Sequence, residues 1–375
     1  MKENNRIRVC HVMLGMDVGG AEKFVVDLTR TLQDVEFFLF CLDSKGKWYE
    51  DACVKGRECM DTKVGEGWYL SGVNQLVDFI RRHRIDVLHA HTHRTHIYCV
   101  LAHLITHIPV IVTFHGSGFG YMRRTLLERK FMSYATVRMV AVSEATRKAV
   151  CEKTGIPSRK VAVIRNGVDV RHFVPVESSD KVNIRRLFGI PEKAFVIGST
   201  GRLSREKNYK MLVRCFARLR TVYPDVWLII AGDGVDRPEI ESELRHSGVS
   251  NYCILSGIQS DVLPWLHAMD VFCLTSLTEG CSIALLEACS CGLPAVVTDT
   301  GGNAEIVKHN VSGFVVPVHD EIAYTESLKL LHENTTMRKQ MGSESAKIVS
   351  EFFTIERTAQ NYRRLYREVV GYAEH

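Results

Sequence analysis

The segment Glu279-Gly-Cys-Ser-Ile-Ala-Leu-Leu-Glu287 sets two carboxylates eight residues apart around a strand-to-helix junction. It follows the apolar run Val271 to Leu274 and enters a helical pattern that stops at Gly292, just before Pro294. Gly280 permits a tight turn, and Ser282 has the side chain of an N-cap. The amides of Cys281, Ser282 and Ile283 then face outward as donors for an anion or a sugar oxygen. At a rise of about 1.5 Å per residue, Glu279 and Glu287 are spaced to hold opposite ends of one extended ligand. Taken singly, each is equally a solvated acid near a helix.

A second group, Gly201-Arg202-Leu-Ser-Arg-Glu-Lys207-Asn208, directly follows the apolar run beginning at Phe195. Arg202 and Lys207 after a strand suit a diphosphate, which a guanidinium binds in bidentate fashion. A charged loop leading into an amphipathic helix is the plain alternative. Gly232-Asp233-Gly234 closes another strand and is a common turn sequence. In the first half, Gly19-Gly20 precedes a helix whose first amides suit a phosphate. The pattern is neither G-x-G-x-x-G nor a Walker loop, which weakens the dinucleotide and ATP-hydrolase readings.

The elements that must position these groups are visible as alternation. Strand candidates are Ile7 to Met13, Val35 to Leu42, Val87 to Ala90, Val110 to Phe114, Met139 to Val142 and Val161 to Ile164. Helical spacing joins Ala21, Phe24, Val25, Leu28 and Leu32, and again Val73, Leu76, Val77 and Ile80. After a polar stretch bounded by prolines, strands resume at Phe195 to Ser199, Trp227 to Ala231, Cys253 to Leu255, Val271 to Leu274, Ala295 to Thr298 and Gly313 to Val316. This predicts an α/β protein of two parallel, doubly wound domains. The terminal stretch, Thr354 to Tyr372, predicts one long helix with no strand after it.

Composition narrows the function. The chain has 375 residues, 46% apolar and 24% charged, enough for two folded cores. A net charge of +5 falls far short of the basic stripe of a dedicated nucleic-acid binder. The 12 cysteines form no C-x-x-C pair and several sit in apolar runs, as expected of a reduced, cytoplasmic chain. No apolar run approaches the roughly 18 to 20 residues that cross a bilayer. Arg81-Arg82-His83-Arg84 and Tyr121 to Met132 mix cations with apolar residues, as a helix lying on an anionic membrane surface does, and as an ordinary solvated helix also does.

In order along the chain, Gly19-Gly20-Ala21-Glu22, Thr113-Phe114-His115-Gly116, Arg165-Asn166-Gly167-Val168-Asp169, Gly201-Arg202 with Lys207, Ala231-Gly232-Asp233-Gly234, Glu279 to Glu287, Cys291-Gly292-Leu293-Pro294 and Gly301-Gly302 resemble a retaining family 4 glycosyltransferase. The resemblance spans nearly the whole chain. It implies a GT-B fold, two Rossmann-like domains facing across a cleft, with the C-terminal helix crossing back to the first domain. The expected boundaries are 1–174 plus 354–375 for acceptor binding, 175–191 as linker, and 192–353 for the nucleotide-sugar.

The same resemblance implies roles. Arg202 and Lys207 neutralise the diphosphate without a metal, in keeping with a sequence that has no Asp-x-Asp triplet. Glu287 bonds the donor ribose, Glu279 and the segment Gly280, Cys281, Ser282 and Ile283 hold the transferred sugar, and Gly257 and Ile258 meet the base. Gly19 and Gly20 approach the phosphate, and His115 bonds the sugar near the reacting centre. Where members often have Phe-Gly after the first Glu-Gly, this chain has Cys281-Ser282, which alters the pocket near the sugar. The implied partners are a nucleoside-diphosphate sugar and a glycan or lipid-linked acceptor, in cell-surface polysaccharide assembly at the inner face of the cytoplasmic membrane, with no cofactor. Two rival readings are a sugar-nucleotide-binding protein without activity and a hydrolase with a metal on His89, His91 and His93.

Overall fold

The computed structural model describes residues 6–60, 69–116 and 131–371. Its first sheet is built from near-continuous apolar runs, as buried parallel strands require. The strands are β1 (Arg8–Met13), β2 (Glu36–Cys41), β3 (Gly56–Cys59), β4 (Val87–Ala90), β5 (Val110–Phe114), β6 (Arg138–Ala141) and β7 (Val161–Val163), in the order β3-β2-β1-β4-β5-β6-β7. The second sheet holds β8 (Phe195–Thr200), β9 (Val226–Ala231), β10 (Cys253–Leu255), β11 (Val271–Leu274), β12 (Ala295–Thr298) and β13 (Gly313–Val316), ordered β10-β9-β8-β11-β12-β13. The pairings within both sheets are parallel. Each order reverses once, between β1 and β4 and between β8 and β11. In open α/β sheets such a reversal opens a crevice at the carboxyl ends of the strands, where ligands bind.

The chain divides into two compact units, Met1–Asn166 with Ile355–His375, and Gly167–Thr354. The terminal helix, Ile355–Val369, therefore belongs to the first unit. It buries Tyr362 and Tyr366 completely. The Tyr362 ring lies 5.2 Å from Phe24 on the helix Gly20–Thr31, and Arg363 reaches Asp34 at 3.0 Å.

Two elements differ from the sequence expectation. β3 is a short, polar edge strand, Gly-Arg-Glu-Cys, with no apolar run to announce it. Residues 175–191, expected as a linker, contain the helix Ser178–Leu187 within the second unit. Ion pairs rather than an apolar face dock this helix: Lys181 and Arg185 each reach Asp270 at 2.7 Å, and Arg185 is 5% exposed. The Phe188 ring then stacks on Trp265 at 4.0 Å. The basic stretch 121–130 lies outside the described residues, among which no helix is long and apolar enough to cross a membrane.

Candidate functional site

In the second unit, the loops leaving β8, β9, β11 and β12 are sewn together by backbone bonds around the β8–β11 reversal. Gly201 N–H donates to Ala231 O at 3.0 Å and Leu203 N–H to Asp233 O at 2.9 Å. A Cβ on Gly232 would sit 1.9 Å from Gly201 O, so glycine alone permits this approach. Leu277 N–H donates to Glu206 O at 2.7 Å, and the Thr275 hydroxyl donates to the carbonyls of Lys207 and Asn208, each at 3.1 Å. The Arg202-to-Lys207 loop is thereby fixed to the loop that carries Glu279.

That stitching brings Lys207 and Glu279 into contact. Lys207 Nζ lies 2.6 Å from Glu279 Oε1, which also accepts from the Ser276 hydroxyl at 2.6 Å. The carboxylate is 8% exposed and the lysine 19%. Glu206 sits in the field of both cations. Desolvation pulls its carboxyl upward, but the Ser204 hydroxyl, a loop amide, Lys207 and Arg202 together hold it below the ordinary range.

Ser282 caps the helix Ile283–Ser290, accepting from Leu285 N–H at 3.4 Å. Gly280, Cys281, Ser282 and Ile283 are buried at this helix start, and Glu287 on the helix is 4% exposed. Gly302 N–H donates to Gly280 O at 2.7 Å, which lays the Gly301-Gly302 turn against Glu279. Gly301 has φ +54, and a Cβ there would sit 2.1 Å from Glu279 O. Gly301→Ala is therefore expected to destabilise the protein by about 1–3 kcal/mol, as strained backbone does. Gly189 also has a positive φ, +70, but open space around it. Gly189→Ala should cost about 1–2 kcal/mol, the left-handed strain alone, and equilibrium unfolding in urea should show the larger loss at Gly301, where a backbone clash adds to it.

Gly257 and Ile258 follow β10, on the other side of β8. Gly257 has φ +71, with Asp233 Oδ2 and Arg237 Nη1 within ordinary van der Waals contact of where a Cβ would sit, and Ile258 is 53% exposed. Arg237 Nη1 bonds Asp233 at 3.1 Å, fixing that corner. The structure thus sets Arg202, Lys207, Gly257, Ile258, Glu279, Gly280, Cys281 and Ser282 on loops at the carboxyl edge of one sheet, with Ile283 and Glu287 on the helix that leaves that edge. Ser276, which shares Glu279 with Lys207, was not singled out by the sequence; a lone serine after a strand gives no signal.

His115, Gly19 and Gly20 belong to the first unit. Gly19 is an extended N-cap without a side-chain bond, and Gly20 opens onto free space. His115, half-buried at the end of β5, joins a chain of imidazoles. Its Nε2 lies 3.0 Å from His91 Nδ1, and His91 Nε2 lies 2.8 Å from His11 Nδ1. Burial pushes the His115 imidazole down to about 4, and burial with the nearby His115 pushes His11 to about 3. Burial likewise holds His89 and His91 well below the usual histidine range. All these rings are therefore neutral at pH 7.

The metal reading of the histidines changes form. Strand β4 ends at Ala90, and Thr92 caps the helix His93–Thr106 through a capping box, so His93 begins a helix instead of continuing the strand. The nitrogens of His11, His89 and His91 do lie within 4.8 Å of one another. The 2.8 Å separation of His11 and His91 is nevertheless a hydrogen bond. Two Zn–N bonds of about 2.0–2.1 Å at a tetrahedral angle hold their nitrogens roughly 3.3 Å apart. His89 has both nitrogens engaged, with the Tyr366 and Thr113 hydroxyls at 2.8 Å each. The cluster is built as a hydrogen-bonded network.

Comparison with known proteins bears on these two units. The family model described as glycosyl transferases group 1 matches residues 180–348, and that of glycosyltransferase family 4 matches residues 18–172. The chain is 26% identical, over 98% of each sequence, to the UDP-Gal:alpha-D-GlcNAc-diphosphoundecaprenol alpha-1,3-galactosyltransferase of Escherichia coli. It is 22% identical to the N-acetyl-alpha-D-glucosaminyl L-malate synthase of Bacillus anthracis, over 80% of this chain and 79% of that one. HepE from Anabaena, solved in complex with UDP and glucose, superposes with a TM-score of 0.84 at 20% identity, covering 96% of this chain and 99% of the other.

Proposed function

The chain belongs to the family 4 glycosyltransferases of GT-B fold, and from that premise we propose that it moves a sugar from a UDP-sugar to a lipid-linked glycan acceptor, with retention at the anomeric carbon. The observation that carries this reading is the contact of Lys207 with Glu279 at the β8–β11 reversal, beside the buried start of the helix that bears Glu287. Arg202 and Lys207 neutralise the diphosphate, and Glu287 bonds the ribose. Glu279 and the helix start hold the sugar hydroxyls, Gly257 and Ile258 meet the base, and Gly19 and Gly20 attend the phosphate. His115 bonds the transferred sugar. The UDP in the Anabaena HepE complex and the UDP-Gal in the name of the Escherichia coli relative support uridine as the base. The same relative's diphosphoundecaprenol substrate supports a lipid-linked acceptor and a place in cell-surface polysaccharide assembly.

In ligand-free protein, Lys207 is held by Glu279. A diphosphate offers Lys207 a stronger anionic partner and frees Glu279 for sugar hydroxyls. In the reaction, the anomeric carbon–oxygen bond to the diphosphate breaks and the acceptor oxygen bonds to that carbon on the same face. The acceptor hydroxyl proton passes to the departing phosphate oxygen. Developing negative charge on the leaving group falls to fixed cations and amides, which need no reorganisation. No metal enters this scheme. Just after the basic stretch 121–130 in the sequence, the exposed Phe131, Tyr134 and Val137 give the first unit apolar side chains for a membrane surface.

The test is a screen of UDP- and GDP-sugars in the presence of a chelator, with acceptor lipid extracts, followed by proton NMR of the first product formed. A UDP-sugar consumed with its anomeric configuration kept is expected. Inversion would overturn retention, chelator-sensitive turnover would overturn metal independence, and binding of a sugar nucleotide without turnover would overturn the transferase reading.

A further inference from the structure

The imidazole chain in the first unit has a direction. It runs from His115 Nε2 to His91 Nδ1 at 3.0 Å, then from His91 Nε2 to His11 Nδ1 at 2.8 Å. It ends at His11 Nε2, a buried nitrogen with no hydrogen-bond partner among the described residues. Each link needs one N–H and one bare nitrogen, and each neutral ring carries a single N–H. The three rings therefore have only two self-consistent states. In one, all three protons sit on Nε2, and His11 buries an N–H that reaches no acceptor. In the other, all three sit on Nδ1, and only a bare lone pair is left at the dead end.

Orphaned buried N–H groups are rare in folded proteins. His11 is completely buried, its ring stacked on Phe37 at 5.2 Å and against His89 at 5.0 Å, and no described residue accepts a hydrogen bond from its Nε2. Phe24 holds the other end, its ring 5.9 Å from His91 and 5.3 Å from His115. With His115 Nε2 tied inward, Nδ1 is the nitrogen left for a ligand.

We propose that His91 and His11 are positioning residues that lock His115 as its Nδ1–H tautomer, so that His115 acts as a hydrogen-bond donor, not an acceptor, toward the ligand oxygen it meets. In a histidine the bond made by one nitrogen fixes the state of the other, and here two further rings extend that control inward. The ligand chemistry this selects is an oxygen with a free lone pair, such as a sugar hydroxyl or ring oxygen. This inference rests on the transferase reading for the identity of the ligand alone; the tautomer itself is a property of the free protein.

The test is nitrogen-15 NMR of the full, ligand-free chain with labelled histidine at pH 7.5, with the His115 signals assigned by their loss in His115→Gln. The expected spectrum shows His115 with Nδ1 protonated and Nε2 bare, the reverse of the tautomer neutral histidine favours in water. His91→Leu should return His115 toward the Nε2–H form, while His91→Asn, which keeps a donor near the place of Nδ1, should hold it. In transfer assays His91→Leu should lose about 10- to 100-fold in kcat, the usual scale for groups that orient a site's ligands, with donor KM little changed and most activity kept in His91→Asn. A wild-type His115 protonated on Nε2, or a tautomer that ignores His91→Leu, would overturn the lock. The wild-type spectrum decides the matter even if His91→Leu fails to fold. Absent turnover with the expected spectrum would instead count against the transferase reading.

Discussion

Replacing Arg202 and Lys207 together by alanine is expected to reduce sugar transfer by at least about 10³-fold, since removing one preorganised donor to developing charge commonly costs about 10²–10³ in kcat. The two residues do not act alike. Arg202 is exposed on its loop, whereas Lys207 is 19% exposed and bound to Glu279 at 2.6 Å. Arg202→Ala should mainly weaken the hold on the diphosphate. Lys207→Ala does more, because it leaves a carboxylate that is 8% exposed with the Ser276 hydroxyl as its remaining side-chain hydrogen-bond partner among the described residues. Pairing Lys207→Ala with Glu279→Gln removes that stranded charge, so the double variant should regain stability over Lys207→Ala without regaining turnover. Lys207→Arg keeps the charge but not the point contact, and should fall between. Initial rates at saturating acceptor, alongside urea unfolding of each variant, separate these effects. Wild-type rates in the Arg202 and Lys207 double variant would remove the clamp from the mechanism.

Acid is expected to unfold the protein well above the pH at which carboxylates titrate. His11, His89, His91 and His96 are at most 3% exposed, and burial lowers the affinity of each for a proton in the folded state. His11 and His96 are pushed down to about 3. In the unfolded chain each titrates near pH 6.5. Between that pH and the folded values the unfolded state binds more protons, so stability is fully present above pH 6.5 and is lost as pH falls. At pH 5.5 each such histidine costs on the order of 1 kcal/mol, so the four together remove a large share of the roughly 5–15 kcal/mol typical of a folded protein. Urea midpoints at pH 7.5 and 5.5 should differ sharply. His96→Gln, which can set an amide near the Thr136 hydroxyl that His96 Nε2 meets at 2.6 Å, should flatten the dependence by one proton. A midpoint that does not move over this range would show that these rings do not stay neutral in the folded protein.

Much of the fold was legible in the sequence because its strands are apolar runs fenced by turn residues. Those runs mark twelve of the thirteen strands among the described residues. β3 escaped because an edge strand, paired on one side, needs no apolar run, and Gly-Arg-Glu-Cys has none. The helix Ser178–Leu187 escaped for a related reason: Ser-Ser-Asp-Lys-Val-Asn-Ile-Arg-Arg-Leu is polar, and its anchor is the carboxylate of Asp270, far away in sequence. The residues proposed for the donor side stand out singly in the sequence, through glycine turns and helix starts. Their joining does not, since Lys207 meets Glu279 only after two loops are bound by Thr275 and Leu277. His11 was hidden most completely. Inside Arg-Val-Cys-His-Val-Met it passes for a strand residue, and only the register of β1 on β4, which sets His11 opposite His89, brings it to the other imidazoles.

The central claim is that the second unit holds a nucleoside diphosphate on Arg202 and Lys207. Isothermal titration of UDP into the full chain in a chelating buffer tests it most directly, with the Arg202→Ala, Lys207→Ala double variant beside the wild type. Saturable one-to-one binding is expected in the wild type, and its loss in a variant that remains folded. No heat with UDP, or binding unchanged in the double variant, would contradict it.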